Sequence, residues 1–176
     1  MSTIDLIVLG MLEEQSLSAY DVQKLVEYRK ISKWVKISTP SIYKKVIQLE
    51  EKGYVKKTMI KEKSMAEKAV YSLTSDGKTQ LKKLMLGISE KPIDIFLDFN
   101  AVIVNLKSLS KEEQEQCLNN IEENIKIRKQ YIEENIESKK DISEISETAK
   151  QVLQQQFILT EAIENWINSV KASLRD

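Results

Sequence analysis

No histidine occurs in the 176-residue chain, which also has only one cysteine, two prolines and four glycines. The missing histidine removes the side chain that enzymes use most often as a general base and that metals use most often as a ligand. Cys117 cannot form an internal disulfide, and its sequence neighbours include no group that would activate a thiol. Glycine-rich phosphate loops and nucleophile elbows are absent as well. These absences argue against an enzyme, a cofactor and a bound metal.

Long apolar runs are missing too. The stretch from Leu6 to Leu12 is apolar but short, and it has neither the basic segment nor the cleavage site of a signal peptide. No stretch approaches the length that crosses a membrane. The scarcity of Gly and Pro, together with many Glu, Lys, Gln, Leu and Ile, favours a mainly α-helical protein. We therefore expect a helical, cytoplasmic protein with no membrane partner.

The segment from Ser38 to Leu73 is the most informative part of the chain, and it begins with a predicted helix. Thr39 can cap the N-terminus of this helix, Pro40 suits its first helical position, and Gly53 suits the position just past its end. Apolar side chains recur inside the helix at a spacing of three and four. They predict a buried stripe formed by Ile42, Val46 and Leu49.

A two-stranded hairpin is predicted directly after this helix. Two runs rich in β-forming residues lie at 54–60 and 69–73, and the mostly charged sequence KEKSMAEK connects them. Helix, tight turn and basic hairpin together predict a winged helix-turn-helix, in which a recognition helix enters a DNA major groove. For the helix alone, the alternative is an ordinary amphipathic surface helix with solvated lysines.

The predicted DNA contacts fall into three groups. Groove-facing side chains of the helix, which can form hydrogen bonds with base edges, are Ser41, Tyr43, Lys44 and Lys45. Residues near helix starts that can bond phosphates are Tyr20 and Ser38. Lysines of the hairpin, which would supply a sequence-independent attraction, are Lys56, Lys57, Lys61, Lys63 and Lys68. For Tyr43 the alternative is packing of the ring, because its neighbour Ile42 faces inward.

The zero net charge hides a difference between the two halves of the chain. Residues 1–85 contain 16 Lys and Arg against 10 Asp and Glu, whereas the remaining residues contain 11 against 17. Such an asymmetry indicates one part that binds nucleic acid and another that does not. We accordingly predict a DNA-binding domain at 1–87 and a helical dimerisation and effector domain at 88–176, with the boundary in the stretch 87–92.

The second half is predicted to consist of helices with narrow apolar stripes. Residues 96–106 form an apolar helix, Ser110 and Glu113 form a capping-box pattern that opens a long helix, and a last helix follows. These stripes cannot all be buried in so thin a domain, which predicts a homodimer; an autonomous three-helix bundle is the alternative. The predicted dimer contacts are Leu159, Ile163, Trp166, Ile167, Val170 and Leu174.

The chain resembles the PadR family of bacterial transcriptional regulators, in its longer form with a helical C-terminal domain. The resemblance covers nearly the whole chain and rests on the ordered motifs IDLIVLGML, SAYDVQKL, STPSIYKKVIQLEEKGYV, KAVYSLTSDGK and EAIENWINSVKASL. Two positions depart from the family pattern. Ala19 stands where a glycine is usual, and Lys44 stands where a proline commonly follows the recognition-helix tyrosine, so base contacts do not transfer by analogy at this position.

The resemblance implies a dimeric DNA-binding repressor that binds a roughly palindromic operator and is released by a small ligand. Phenolic acids and drug-like aromatics are ligands of some family members. Candidates for such a pocket at the dimer seam are Phe96, Phe99, Tyr131 and Trp166, with plain core packing as the alternative. The rival function is a winged-helix module that docks other proteins and does not contact DNA.

Overall fold

The computed structural model of the chain describes residues 2–61, 67–143 and 145–174. The chain divides into two compact units, Met1–Ile93 and Asp94–Asp176. The predicted boundary at residue 87 falls inside a helix that continues to Ser89. Helices dominate the described residues, which confirms the mainly α-helical prediction.

The first unit has the architecture of a winged helix-turn-helix. Its described elements follow in the order α1 (Thr3–Glu14), α2 (Ala19–Tyr28), α3 (Ser41–Glu51), β1 (Val55–Ile60), β2 (Lys68–Leu73) and α4 (Ser75–Ser89). A 3-10 turn at Ile31–Lys33 lies between α2 and α3. The predicted stripe of α3 is fully buried, and it packs in one core with Val8 and Leu9 of α1, Val22 and Val26 of α2, and Leu84 of α4.

Local hydrogen bonds fix the ends of the helices. The predicted capping box of α2 is present, because the Ser18 hydroxyl accepts from the Asp21 amide while the Asp21 carboxylate accepts from the Ser18 amide. The start of α3 differs from the prediction, since Thr39 does not cap it and the helix begins at Ser41. The Ser41 hydroxyl instead donates to the Ser38 carbonyl at 2.6 Å. Gly53, just past the end of α3, has the positive φ of 75° that its position requires.

The hairpin is tied to the helices at its base. Strands β1 and β2 pair antiparallel, with Val55 opposite Leu73 and Ile60 opposite Lys68. Tyr71 also exchanges two backbone hydrogen bonds with Leu17, at 2.8 and 3.1 Å. Because Leu17 directly precedes the capping box of α2, this extra pairing fixes the base of the hairpin against the start of that helix.

The start of α4 packs closely against Tyr54, the residue that precedes β1. The Thr74 hydroxyl accepts from the Gly77 amide at 3.0 Å, and its single proton is shared between the carbonyl oxygens of Gly53 at 2.8 Å and Tyr54 at 3.0 Å. A Cβ atom on Gly77 would lie 2.0 Å from the Tyr54 carbonyl oxygen. Only glycine therefore fits this position of the KAVYSLTSDGK motif.

The second unit is a pair of long antiparallel helices with a short helix beside them. Its described elements are α5 (Phe99–Asn105), α6 (Lys111–Lys139) and α7 (Glu147–Ser173). The predicted capping box of Ser110 and Glu113 opens α6. A small core holds α5, α6 and α7 together, and its buried members are Leu106, Leu118, Ile125 and Ile167. The apolar helix predicted from residue 96 begins only at Phe99, and no described helix is long and apolar enough to cross a membrane.

Candidate nucleic-acid interface

The exposed face of α3 carries three of the predicted groove-facing residues. Tyr43 is 52% exposed, so its ring is not packed in the core, and Lys44 beside it is exposed. Ser41 is half-buried at the first turn. Because its hydroxyl proton is directed to the Ser38 carbonyl, the oxygen is left to accept hydrogen bonds. In a major groove, the matching donors are the amino groups of adenine and cytosine.

Lys45 has a different environment from the one predicted for it. Its ammonium nitrogen lies 3.1 Å from Oδ1 of Asp5, and the two side chains are only 20% and 16% exposed. The pair joins α3 to α1 within the first unit. Lys45 is thus directed into the domain, and its predicted place on the exposed face of the recognition helix is corrected by this ion pair.

Most of the hairpin lysines are free to meet a ligand. Lys56, Lys57 and Lys61 are exposed, and none of them forms an ion pair with another described residue. Strand register puts Lys57 on the same face as the buried Tyr71, whereas Lys56 lies on the opposite face. Positive charge is therefore available on both sides of the hairpin. Lys63 lies outside the described residues.

Lys68 differs from the other described hairpin lysines because it has an internal partner. Its ammonium group donates to Oδ2 of Asp21 at 2.7 Å. The hydrogen bond from Lys68 is the main cause that lowers the pKa of Asp21, which keeps this carboxylate charged. The predicted phosphate contact of Lys68 therefore competes with an ion pair already present in the domain.

The remaining predicted contacts lie at the start of α2 and just before α3. Tyr20 is 58% exposed, and the Lys24 ammonium group lies 5.3 Å from the centre of its ring. Ser38 is exposed. Both side chains are accessible on the first unit, as a contact with DNA phosphates requires.

A cleft separates the start of α2 from α3 and the hairpin. Its volume is about 560 Å³, and its lining includes Ala19, Tyr20, Tyr43, Lys68 and Tyr71. Burial raises the pKa of the Tyr71 hydroxyl above its ordinary value. Sequence reasoning identified several of these residues but not the cleft, because nothing local in the sequence indicates that segments so far apart meet.

Within the single chain, the four candidate effector residues of the second unit do not all lie together. Phe99 and Trp166 stack, with ring centroids 6.0 Å apart and planes inclined by 26°. Phe96 precedes α5 and is 85% exposed. Tyr131 lies further along α6. Lys171 bonds to Asn119 and Arg128 bonds to Gln156, so position 131 lies about 15 Å along the helix from the level of Trp166.

The predicted dimer contacts, which lie on α7 and just past its end at Leu174, differ in how deeply they are buried in the single chain. Ile167 is fully buried inside its own chain, and Ile163 and Val170 pack against the same core. Leu159, Trp166 and Leu174 are 40%, 39% and 46% exposed. Ile158, which the sequence prediction missed, is 54% exposed on the same helix. The apolar side chains that remain exposed for a partner are therefore Ile158, Leu159, Trp166 and Leu174.

The polar and basic exposed face of α3, followed by a lysine-rich hairpin, defines the first unit as a winged helix-turn-helix domain of the kind that binds nucleic acid. Residues 8–83 match the transcriptional regulator PadR-like family. This match spans the winged helix-turn-helix domain of the first unit, which is therefore a PadR-like domain. No curated protein matches the chain in sequence.

Solved structures extend the similarity over the whole chain. PadR from Bacillus subtilis in complex with operator DNA superposes with a TM-score of 0.82 at 20% identity, covering 98% of this chain and 99% of that one. The same protein in complex with p-coumaric acid gives 0.78 at 20% identity, with 100% and 99% covered. The virulence activator AphA from Vibrio cholerae gives 0.72 at 19% identity, with 98% of each chain covered. At these identities the likeness establishes the shared fold.

Proposed function

We propose that the protein is a dimeric transcriptional repressor that binds operator DNA through α3 and the hairpin wing, and that a small aromatic molecule releases it. The observation that carries this proposal is the exposed, largely unpaired basic surface formed by Lys44 on α3 and Lys56, Lys57 and Lys61 on the wing. The fold of a PadR bound to operator DNA supports the same use of this surface.

In this mechanism, the two α3 helices of a dimer enter successive major grooves of a roughly palindromic operator. Ser41, Tyr43 and Lys44 form hydrogen bonds with base edges, and the wing lysines neutralise phosphates. The base-contacting residues of α3 then determine which sequence is bound, whereas the wing lysines add affinity for every duplex.

The phosphate role of the wing is tested with the double variant Lys57→Gln and Lys61→Gln. Each phosphate contact releases condensed counterions, so we expect the slope of log K against log salt to flatten by up to about two units per protomer. Operator and random duplexes lose affinity together. The matched control changes Lys107 and Lys111, two exposed lysines of the second unit, to Gln. A slope that responds equally to both pairs contradicts the assignment.

The groove role of α3 is tested with Lys44→Gln. This variant is expected to reduce the preference for operator over random duplex, because one base contact is worth about 1–3 kcal/mol of discrimination. Genomic fragments selected by the wild-type protein supply the operator. The rival function, a module that docks proteins only, predicts no binding to such fragments even at low salt.

The dimer is proposed to form through the exposed apolar side chains of α7. Sedimentation velocity at micromolar concentration is expected to give a dimer for the wild type and a monomer for Leu159→Glu with Leu174→Glu. Both side chains are exposed in the single chain, so these changes leave its own core intact. Ile127→Glu, at a residue of α6 that is 58% exposed, serves as the control. A wild-type monomer contradicts the dimer, and an unchanged double variant contradicts this interface.

An aromatic effector is proposed to bind at the stacked pair of Phe99 and Trp166. Such a ligand releases DNA only if it binds one arrangement of the dimer better than another. The probe is p-coumaric acid, which a PadR of the same fold binds. We expect it to raise the unfolding temperature and weaken operator binding, and we expect Phe99→Ala to reduce both effects. Full retention of both by Phe99→Ala refutes this location.

A further inference from the structure

The wing is attached to the helices at two levels. Near its base, Tyr71 pairs with Leu17 through backbone hydrogen bonds of 2.8 and 3.1 Å. Nearer the tip, Lys68 bonds to Asp21 at 2.7 Å. Among the described residues, no hydrogen bond or ion pair joins the wing to the helices beyond Lys68. Met59 and Ile60, on the strand opposite, are 47% and 43% exposed and give the outer part of the wing little packing.

Asp21 is held rigidly at the point where it receives Lys68. Its carboxylate accepts hydrogen bonds from the Ser18 hydroxyl at 2.8 Å and from the Ser18 amide at 3.3 Å. Its own amide donates to the Ser18 hydroxyl at 3.1 Å. The capping box thus orients the carboxylate through contacts at the start of α2, independently of its contact with the wing.

The ion pair also lies at the edge of the cleft between α2, α3 and the wing. Lys68 lines this cleft together with Tyr20 and Tyr43, which approach from α2 and α3. The bond from Lys68 to Asp21 therefore joins the wing to α2 beside the cleft that separates the wing from α3.

We propose that Asp21 is a positioning residue that holds the wing, through Lys68, at the distance from α3 at which both can contact one operator. The proposal rests on the proposed DNA-binding function and deepens it. Lys68 then contributes to operator preference rather than to general phosphate attraction, unlike Lys57 and Lys61. If the pair is lost, the wing still attracts phosphates, but its position relative to the base-reading face of α3 is less fixed.

The test compares Lys68→Gln with Lys61→Gln, two variants that remove the same charge from the same wing. Both are measured against the operator and against random duplexes over a range of salt concentrations. We expect Lys68→Gln to lower the ratio of operator affinity to random-duplex affinity by about twofold to fivefold, because an exposed ion pair contributes a free energy that corresponds to such a factor. The salt slope is expected to stay unchanged. Lys61→Gln is expected to flatten the salt slope and to leave the ratio unchanged.

Two further variants separate positioning from stability. Lys68→Arg preserves the ion pair, so it is expected to restore the wild-type ratio. Ser18→Ala breaks the hydroxyl part of the capping box but leaves the carboxylate charge, so it is expected to lower the unfolding temperature and to have less effect on the ratio than Lys68→Gln. If Lys68→Gln behaves like Lys61→Gln, Lys68 is an ordinary phosphate contact and the proposal is refuted. If Lys68→Gln changes neither ratio nor slope, it is refuted as well. Failure of the wild type to bind DNA would instead refute the proposed function.

Discussion

Replacing Gly77 with Ala tests how the start of α4 is joined to the wing. A Cβ atom at this position would lie 2.0 Å from the Tyr54 carbonyl oxygen and 2.8 Å from Cδ1 of Leu73. The carbonyl cannot simply withdraw, because it accepts from the Thr74 amide at 3.1 Å. Overpacking of a well-packed site costs typically 1–3 kcal/mol and sometimes more. We place this substitution near the upper end, at about 3 kcal/mol.

The chain offers a matched control for this substitution. Gly10 also lies inside a helix, but a Cβ atom there would meet nothing within 4 Å. Alanine has a higher helix propensity than glycine, so Gly10→Ala is expected to stabilise the first unit by up to about 1 kcal/mol. The two Gly→Ala changes are thus predicted to have opposite signs.

Thermal unfolding followed by circular dichroism measures both variants. In a domain of this size, about 3 kcal/mol corresponds to a decrease in Tm of roughly 12–24 °C for Gly77→Ala. The decrease belongs to the transition of the first unit. A Tm within a few degrees of the wild type would refute the argument, because it would mean that the backbone around Tyr54 moves aside at little cost.

Two further predictions concern ion pairs. Bonds from Lys126 and Lys171 lower the pKa of Glu122 to about 2, so this carboxylate stabilises the fold above its unfolded pKa of about 4.5 and loses that effect as the pH falls towards 2. After allowance for solvent screening, Glu122→Gln is expected to cost about 1–2 kcal/mol at pH 7 and about two fifths of that at pH 3, as measured by urea unfolding. An equal cost at both pH values contradicts the prediction. Lys45→Gln is expected to lower the Tm, because it leaves the half-buried Asp5 without its partner, and to leave the salt slope of DNA binding unchanged. A flatter salt slope would mean that Lys45 contacts DNA after all.

The features predicted correctly from the sequence depend on neighbours along the chain. Ser18 and Asp21, or Ser110 and Glu113, are three residues apart, so the geometry of a helix start brings them together whatever the rest of the fold does. The same holds for Gly53, whose positive φ follows from its place just past the end of α3. The hairpin was predicted for a similar reason, since its strands are consecutive.

Apart from the cap of α3, where Thr39 was expected and the helix begins at Ser41, the incorrect predictions concern what a side chain meets outside its own helix. Lys45 shares a helix with Ser41 and Lys44, but its partner Asp5 is contributed by α1. Phe96 has the apolar character of a helix residue, yet α5 begins only at Phe99 and the Phe96 ring is exposed. Helical periodicity assigns a residue to a face, but only the packing of other elements decides what that face meets.

The sequence by itself determined the winged helix-turn-helix, the caps that open α2 and α4, and the separation of a basic first half from an acidic second half. Each of these follows from local hydrogen bonding, side-chain spacing or composition. Only the tertiary structure decided which lysines are available to DNA, because that depends on whether a distant carboxylate lies within reach. It directed Lys45 to Asp5 and Lys68 to Asp21, and it left Lys56, Lys57 and Lys61 exposed. The difference arises because charge is a property of a residue, whereas its availability is a property of the fold.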